Sequence, residues 1–143
     1  MREELGLHGM PEVKIYGDAS GHSRKTTAPA DYLVIQEIFR QYGIIFKVLA
    51  QKNNPGVRDR VTTVNNAFHN AKGERRLWID PKCRELRKDM INMRWRRDVA
   101  GNTTNDLDES NPLRSHISSA LGYLVWGELK MSAKVGEKGE RLF

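Results

Sequence analysis

The spacing of apolar residues changes period repeatedly along this chain, and that alternation constrains its fold more than any single motif. Residues 12–18 alternate polar and apolar side chains, with Val13 and Ile15 on one side and Lys14 and Tyr16 on the other. This is the period of a strand, here ending at Asp18. A polar loop over 19–28 follows. Residues 31–42 then carry Tyr32, Ile35, Ile38, Phe39 and Tyr42 at helical spacing, with Pro29 suited to a first turn and Gly43 to the C-terminal cap. Residues 44–50 form a short apolar run of the kind found in buried strands. Asn54-Pro55 reads as the cap and first turn of a helix carrying Val57, Val61, Val64, Ala67 and Phe68. Residues 76–80 read as a further strand, again ending in an aspartate, Asp80. Pro81 then starts a helix whose inward stripe is Cys83, Leu86, Met90 and Met93. The stretch 97–114 is polar and reads as a long loop with room for a short hairpin. Asn111 or Ser115 can cap a last helix over 116–131, whose apolar face is Ile117, Ala120, Leu121, Leu124, Val125 and Leu129. Strands alternating with helices imply an α/β fold, with helices packed on a sheet that contains parallel neighbours.

The 143 residues suit one compact domain over 12–131. Residues 1–11 read as a linker remnant or tail, and 132–143 as a flexible C-terminal tail. No apolar run approaches the roughly 20 residues that span a bilayer, and the N-terminus lacks a secretory pattern, so no membrane partner is expected. The single cysteine, Cys83, excludes an intramolecular disulfide and argues against a Cys-based zinc site. It reads as a small core residue in a protein of a reducing compartment. The net charge of +6 favours polyanionic partners such as nucleic acid. No Gly-x-x-x-x-Gly-Lys-Ser/Thr occurs, which excludes a P-loop ATPase.

Asp18 and Asp80 are the residues best placed for chemistry. In open α/β sheets, sites gather at the carboxyl ends of strands. Parallel neighbouring strands would bring both carboxylates to one edge, where hard cations such as Mg²⁺ or Mn²⁺ prefer oxygen ligands. A pair of such ions, roughly 3.5–4 Å apart, activates water and stabilises the leaving oxygen in phosphodiester cleavage. An aspartate in such a position also serves turns and helix caps, and Asp80-Pro81 fits that use equally well. The pattern alone leaves both readings open.

Four segments together resemble the nuclease domain of the terminase large subunit, the DNA-packaging motor of tailed bacteriophages. Tyr16-Gly17-Asp18-Ala19-Ser20-Gly21, followed by Asp31-Tyr32, looks like that family's first metal-binding segment. Val57-Arg58-Asp59-Arg60-Val61 with Val64-Asn65 resembles its next helix, and Leu77-Trp78-Ile79-Asp80-Pro81-Lys82-Cys83 its second metal-binding strand. Ser115-His116-Ile117-Ser118-Ser119-Ala120-Leu121-Gly122-Tyr123 resembles the family's Ser-His-x-x-Asp-Ala-Leu-x-Tyr. The matches fall in the family's order over about residues 12–130. The resemblance implies an RNase H-like fold, a central mixed sheet flanked by helices. It implies a two-metal-ion endonuclease that cuts concatemeric double-stranded DNA during genome packaging in the host cytoplasm, with Asp18 and Asp80 as ligands of Mg²⁺ or Mn²⁺. The implied partners are double-stranded DNA, an ATPase domain on the N-terminal side, the portal and the small terminase subunit.

The third aspartate of the family falls on Ser119. A hydroxyl is a neutral group where a carboxylate would be an anionic ligand, so cutting is expected to be impaired. Three explanations fit: an exchange made deliberately to disable the nuclease, which is preferred; a natural loss; or a replacement acid among Asp106, Asp108 and Glu109. His116, three residues before Ser119, shares its helix face with Tyr123 and is a candidate for supporting the metals. Arg24, Lys25, Lys52, Arg58 and Arg60 are candidates for phosphate contacts, as are His22 and the Arg94, Arg96 and Arg97 cluster around Trp95. The alternative function is a non-catalytic DNA-binding or portal-docking module of the same motor.

Overall fold

A computed structural model describes residues 12–24, 26–108, 110–111 and 115–139, with 130–139 described as backbone only. The chain divides into two compact units, Met1–Asn54 and Pro55–Phe143. The expected tail over 1–11 and the end of the C-terminal tail, 140–143, lie outside the described residues.

The first unit is a strand, helix and parallel strand. Strand β1 (Val13–Ile15) pairs with β2 (Phe46–Val48) in the register Val13 to Phe46 and Ile15 to Val48. A parallel pair needs a crossover, and helix α1 (Asp31–Gln41) supplies it. In β1 the expected alternation holds, since Val13 and Ile15 are half-buried and Lys14 exposed; the run 44–50, expected as a buried strand, instead alternates, with Phe46 and Val48 half-buried and Ile45 and Lys47 exposed. Phe39 of α1 meets Phe46 of β2 edge to face, ring centres 5.6 Å apart. Helix α1 stops where the sequence says it should. Gly43 takes φ +60°, its N–H donates to the Arg40 carbonyl at 3.0 Å, and the Ile44 N–H donates to the Phe39 carbonyl at 2.9 Å. These paired hydrogen bonds make the Schellman-type glycine stop of a helix C-terminus, and Ile44 is buried directly after it.

The second unit contains α2 (Val57–Phe68), α3 (Arg84–Asn92), β3 (Trp95–Arg97), β4 (Thr103–Leu107) and α4 (His116–Gly139). Its core joins Val64 and Ala67 of α2 to Val125 of α4, with Phe68, Leu77, Met90, Leu121 and Leu129 packed around them. The hairpin allowed for within the polar stretch 97–114 is present. Strands β3 and β4 pair antiparallel, Trp95 opposite Leu107, around a turn in which Gly101 takes φ +83°. The Asp98 carboxylate accepts the N–H groups of Ala100 and Asn102 at 2.9 and 2.8 Å. These bonds hold its carboxyl below the usual range, that from Asn102 contributing most.

Several expectations are corrected. Residues 76–80 are not a strand. Leu77 and Ile79 are half-buried and Trp78 and Asp80 exposed, so the alternation is real. However, the N–H groups of Arg76 and Leu77 both donate to the Ala67 carbonyl at the end of α2, at 2.8 and 2.9 Å, and the segment joins no ladder. Among the described residues the protein is therefore mixed α/β with two separate two-stranded sheets, one parallel and one antiparallel, where one central mixed sheet was expected. Pro81 lies in a turn, and α3 begins at Arg84 with Cys83 at its cap position. Cys83 is exposed, not in the core, because the turn places it before the helix has begun. Helix α2 is entered through Gly56, with no side-chain cap from Asn54. In α4, Ile117, Ala120 and Leu124 are exposed while Ser118, Gly122 and Val125 are buried, so the buried face is rotated from the expected one. Among the described residues no helix is long and apolar enough to cross a membrane.

Candidate functional site

Asp18 follows β1 directly and caps a short 3₁₀ turn, Ala19–His22. Its Oδ1 accepts the Ser20 N–H at 2.7 Å, the self-closing bond that aspartate makes readily at a turn. Its Oδ2 accepts from Asn54 Nδ2 at 2.9 Å, and Asn54 Oδ1 in turn accepts the Ala19 N–H at 2.7 Å. The backbone carbonyl of Asp18 accepts the Tyr32 hydroxyl at 2.7 Å. Tyr32 is buried, and its ring lies against Gly17 and Gly21; a Cβ on Gly21 would stand 2.6 Å from the ring. Here the two glycines are required by close approach. Burial and the neighbouring Asp18 and Asp31 carboxylates raise the pKa of the Tyr32 phenol, burial most, so it stays a donor at neutral pH. His22 stacks edge-on against Tyr32 at 4.7 Å and its Nε2 is 3.1 Å from the Ala50 carbonyl oxygen. The paired sequence segments, 16–21 and 31–32, thus form one hydrogen-bonded body around a carboxylate at the end of a strand.

In the second unit, Asp80 is exposed and its Oδ1 accepts the Lys82 N–H at 2.7 Å, with the Cys83 N–H on its carbonyl. It heads a turn, which is the cap-like use that its sequence also allowed. Ser119 lies on α4 and is half-buried. It lines a cavity of about 20 Å³ whose walls include Arg60, Val64, Met90, Met93 and Leu107. His116, one turn earlier, is exposed. The neighbour of Ser119 that matters electrostatically is Arg60, only 6% exposed. Its guanidinium lies 4.2 Å from the centre of the Tyr123 ring, a stacked cation–π arrangement. A Cβ on Gly122 would meet the Arg60 chain at 2.9 Å, so this glycine is what admits the arginine. Among the described residues no carboxylate lies within ion-pair distance of Arg60.

The start of α4 depends on a residue that sequence reading did not single out. Asp89 of α3 is 2% exposed and accepts the N–H groups of Ser115 and Ser118 at 2.5 and 2.8 Å. A side-chain acceptor at a helix N-terminus satisfies orphan donors. The expected caps, Asn111 and Ser115, are thereby replaced: Ser115 stands at φ +73° and contributes its backbone.

The remaining candidates are placed as follows. Arg24, Lys52 and Arg58 are exposed, and the Arg58 guanidinium lies 5.4 Å from the Trp95 ring centre. Arg60 is buried. Lys25 and Glu109 lie outside the described residues. Of the possible replacement acids, Asp106 pairs with Arg96 at 2.6 Å and Asp108 accepts the Ser110 N–H at 3.0 Å, which lowers its pKa. Of the arginine cluster that was a candidate for phosphate contacts, Arg94 donates to the Ile91 and Met93 carbonyls and Arg97 to that of Gly101.

Asp18 supplies one carboxylate, whose two oxygens accept hydrogen bonds from Ser20 and Asn54. Among the described residues no three or more His, Cys, Asp or Glu side chains are gathered as a ligand set. Comparison of the chain with family models, curated proteins and solved structures finds no match.

Proposed function

We propose that the chain is the metal-dependent endonuclease domain of a viral terminase large subunit, cutting concatemeric double-stranded DNA during packaging and impaired by Ser119. The observation that carries this reading is the carboxylate of Asp18, fixed at the end of β1 by Ser20 and Asn54. It receives support from the way the resembling segments meet. The Tyr16-to-Gly21 motif is built on Tyr32, and the Arg60 helix packs on Gly122 and Tyr123 of the Ser-His motif. On this reading the fold is RNase H-like, Asp18 and Asp80 would hold Mg²⁺ or Mn²⁺, and His116 stands near position 119. The bound ions would activate water and stabilise the leaving oxygen. Exposed Arg24, Lys52 and Arg58 would meet backbone phosphates. The partners are duplex DNA, the packaging ATPase domain, the portal and the small subunit, in the host cytoplasm.

A second reading, a non-catalytic DNA-binding or portal-docking module, is favoured by one observation: Ser119 faces a mostly apolar cavity beside an arginine. Plasmid nicking with Mn²⁺, Mg²⁺ or EDTA separates the two. The nuclease reading expects a silent parent, metal-dependent nicking by Ser119→Asp, and loss of that nicking when Asp18→Asn is added. Folded proteins that never cut under any metal would leave the docking module as the better account.

A further inference from the structure

Residues 76–80 keep the side-chain alternation of a strand without a strand beside them. Arg76, Trp78 and Asp80 are exposed, Leu77 and Ile79 are half-buried, and no turn or bend interrupts the chain before Pro81. Leu77 turns its N–H to the Ala67 carbonyl at 2.9 Å, which anchors the segment on the end of α2. In an extended chain successive residues turn their backbone groups to opposite edges, so those of Trp78 and Asp80 face away from that anchor. There, among the described residues, the N–H and C=O of Trp78 and the N–H of Asp80 make no hydrogen bond. Trp78 is itself 71% exposed. An open edge of this kind is a template for another strand.

The side chains select the strand that fits. Arg76-Leu77-Trp78-Ile79-Asp80 runs basic, aliphatic, aromatic, aliphatic, acidic, so turned end for end it complements itself. We propose that this edge is a self-association surface: two copies of the chain pair antiparallel through 76–80, about a two-fold axis at Trp78. In that register Trp78 lies opposite Trp78 of the second copy, Leu77 opposite Ile79, and Arg76 opposite Asp80, each heterologous pair occurring twice by symmetry. Parallel in-register pairing would instead set Arg76 against Arg76 and Asp80 against Asp80, and like charges directly opposite one another destabilise a sheet. The charged groups are available. The Arg76 guanidinium has no hydrogen bond or ion pair among the described residues. Asp80 spends only Oδ1, on the Lys82 N–H. The two Trp78 rings come together on the exposed face and remove apolar surface from water. The turn at Pro81-Lys82 ends the pairing at Asp80. Five residues a side are far fewer than the roughly 20–30 of a stable complex, so the dimer is weak, with a dissociation constant on the order of 100 μM. The surface does not rest on the nuclease reading. At Asp80 it competes with that reading, because an arginine of the second copy would occupy the carboxylate assigned to a cation.

The test is sedimentation equilibrium of the full chain from about 10 μM to about 1 mM, either side of that value, with hydrogen exchange followed at the Trp78 and Asp80 amides. The expected result is a monomer–dimer equilibrium in which both amides exchange more slowly as concentration rises. Two variants test the register. Arg76→Asp puts acids at both ends of the segment, and Asp80→Arg puts bases at both ends. Each should self-associate about tenfold more weakly than the parent. An equimolar mixture of the two should recover parental association, because antiparallel pairing sets position 76 of one variant against position 80 of the other. Trp78→Ala leaves the Asp80 turn intact and should also weaken association. Amide dispersion reports that each variant is folded. A parent that stays monomeric overturns the proposal, whether the two amides exchange freely or are protected at every concentration by another segment of the same chain. Undiminished association in folded Arg76→Asp or Trp78→Ala overturns it as well, as does a mixture of folded variants that stays monomeric where the parent dimerises. Plasmid nicking remains the separate test of the nuclease reading.

Discussion

Arg60 carries its charge into the interior with an aromatic ring rather than a carboxylate as its described partner. Burying an arginine without a counter-ion is costly, and a buried pair is strongly coupled once formed. Ser119 lines the same cavity. Replacing it with aspartate is therefore expected to create an ion pair with Arg60. A double-mutant cycle of Ser119→Asp with Arg60→Met, read by urea unfolding, should give a favourable coupling of about 1–3 kcal/mol. A coupling near zero would show that the new carboxylate points away from Arg60. The same substitution tests the nuclease reading in the nicking assay, so the two measurements together tell whether position 119 serves a metal, an arginine or both. Sequence resemblance drew attention to position 119. That Arg60 lies beside it, and not on a DNA-facing surface, was hidden because helix periodicity places Arg60 on a face without revealing that Gly122 leaves room for it.

Among the elements, α4 is the one whose start is set from outside. Asp89, in the middle of α3, supplies the acceptors for two N–H groups at the α4 N-terminus. Asp89→Ala would leave both donors buried without that acceptor and is expected to cost about 3 kcal/mol, between the loss of one cap and of two buried hydrogen bonds. The change should appear as a lower urea midpoint. Hydrogen exchange should show faster exchange at Ser115 and Ser118 than in the parent. A loss under about 0.5 kcal/mol, the level of an ordinary surface substitution, would show that the cap is dispensable. The other end of the comparison is α1, which starts and stops on local signals. Its glycine stop was legible because Gly43 needs only its own positive φ and two bonds to carbonyls in the preceding turn. The segment 77–80 shows the opposite case. It has a strand's alternation, but a strand also requires a neighbour's hydrogen-bonding edge, and the end of α2 takes the amides of Arg76 and Leu77 first.

For the whole molecule, the net charge of +6 gives a further expectation. If the chain holds duplex DNA through phosphates, affinity should fall steeply with salt, by a logarithmic slope of about −0.9 for each phosphate neutralised. Fluorescence anisotropy with duplexes of unrelated sequence should give the same affinity for each and parallel salt slopes. Salt-independent binding, or binding to one sequence alone, would sink the phosphate-contact account of Arg24, Lys52 and Arg58. Substituting any one of these exposed residues should reduce the slope by about one contact.

What the sequence determined by itself is the part written in local terms. It specified the strand, helix and parallel strand of the first unit, the stop at Gly43, the helical faces of α1 and α2, and the arrival of Asp18 at the end of a strand. Each follows from spacing, turn chemistry or backbone restriction within a few residues. Tertiary structure decided which partners the polar side chains take. Asn54 reaches Asp18, Asp89 reaches Ser115 and Ser118, and Arg60 enters the groove that Gly122 leaves open. These choices depend on distant segments meeting, because a buried donor or acceptor must be satisfied by whatever packing brings within reach. No local period records which group that will be.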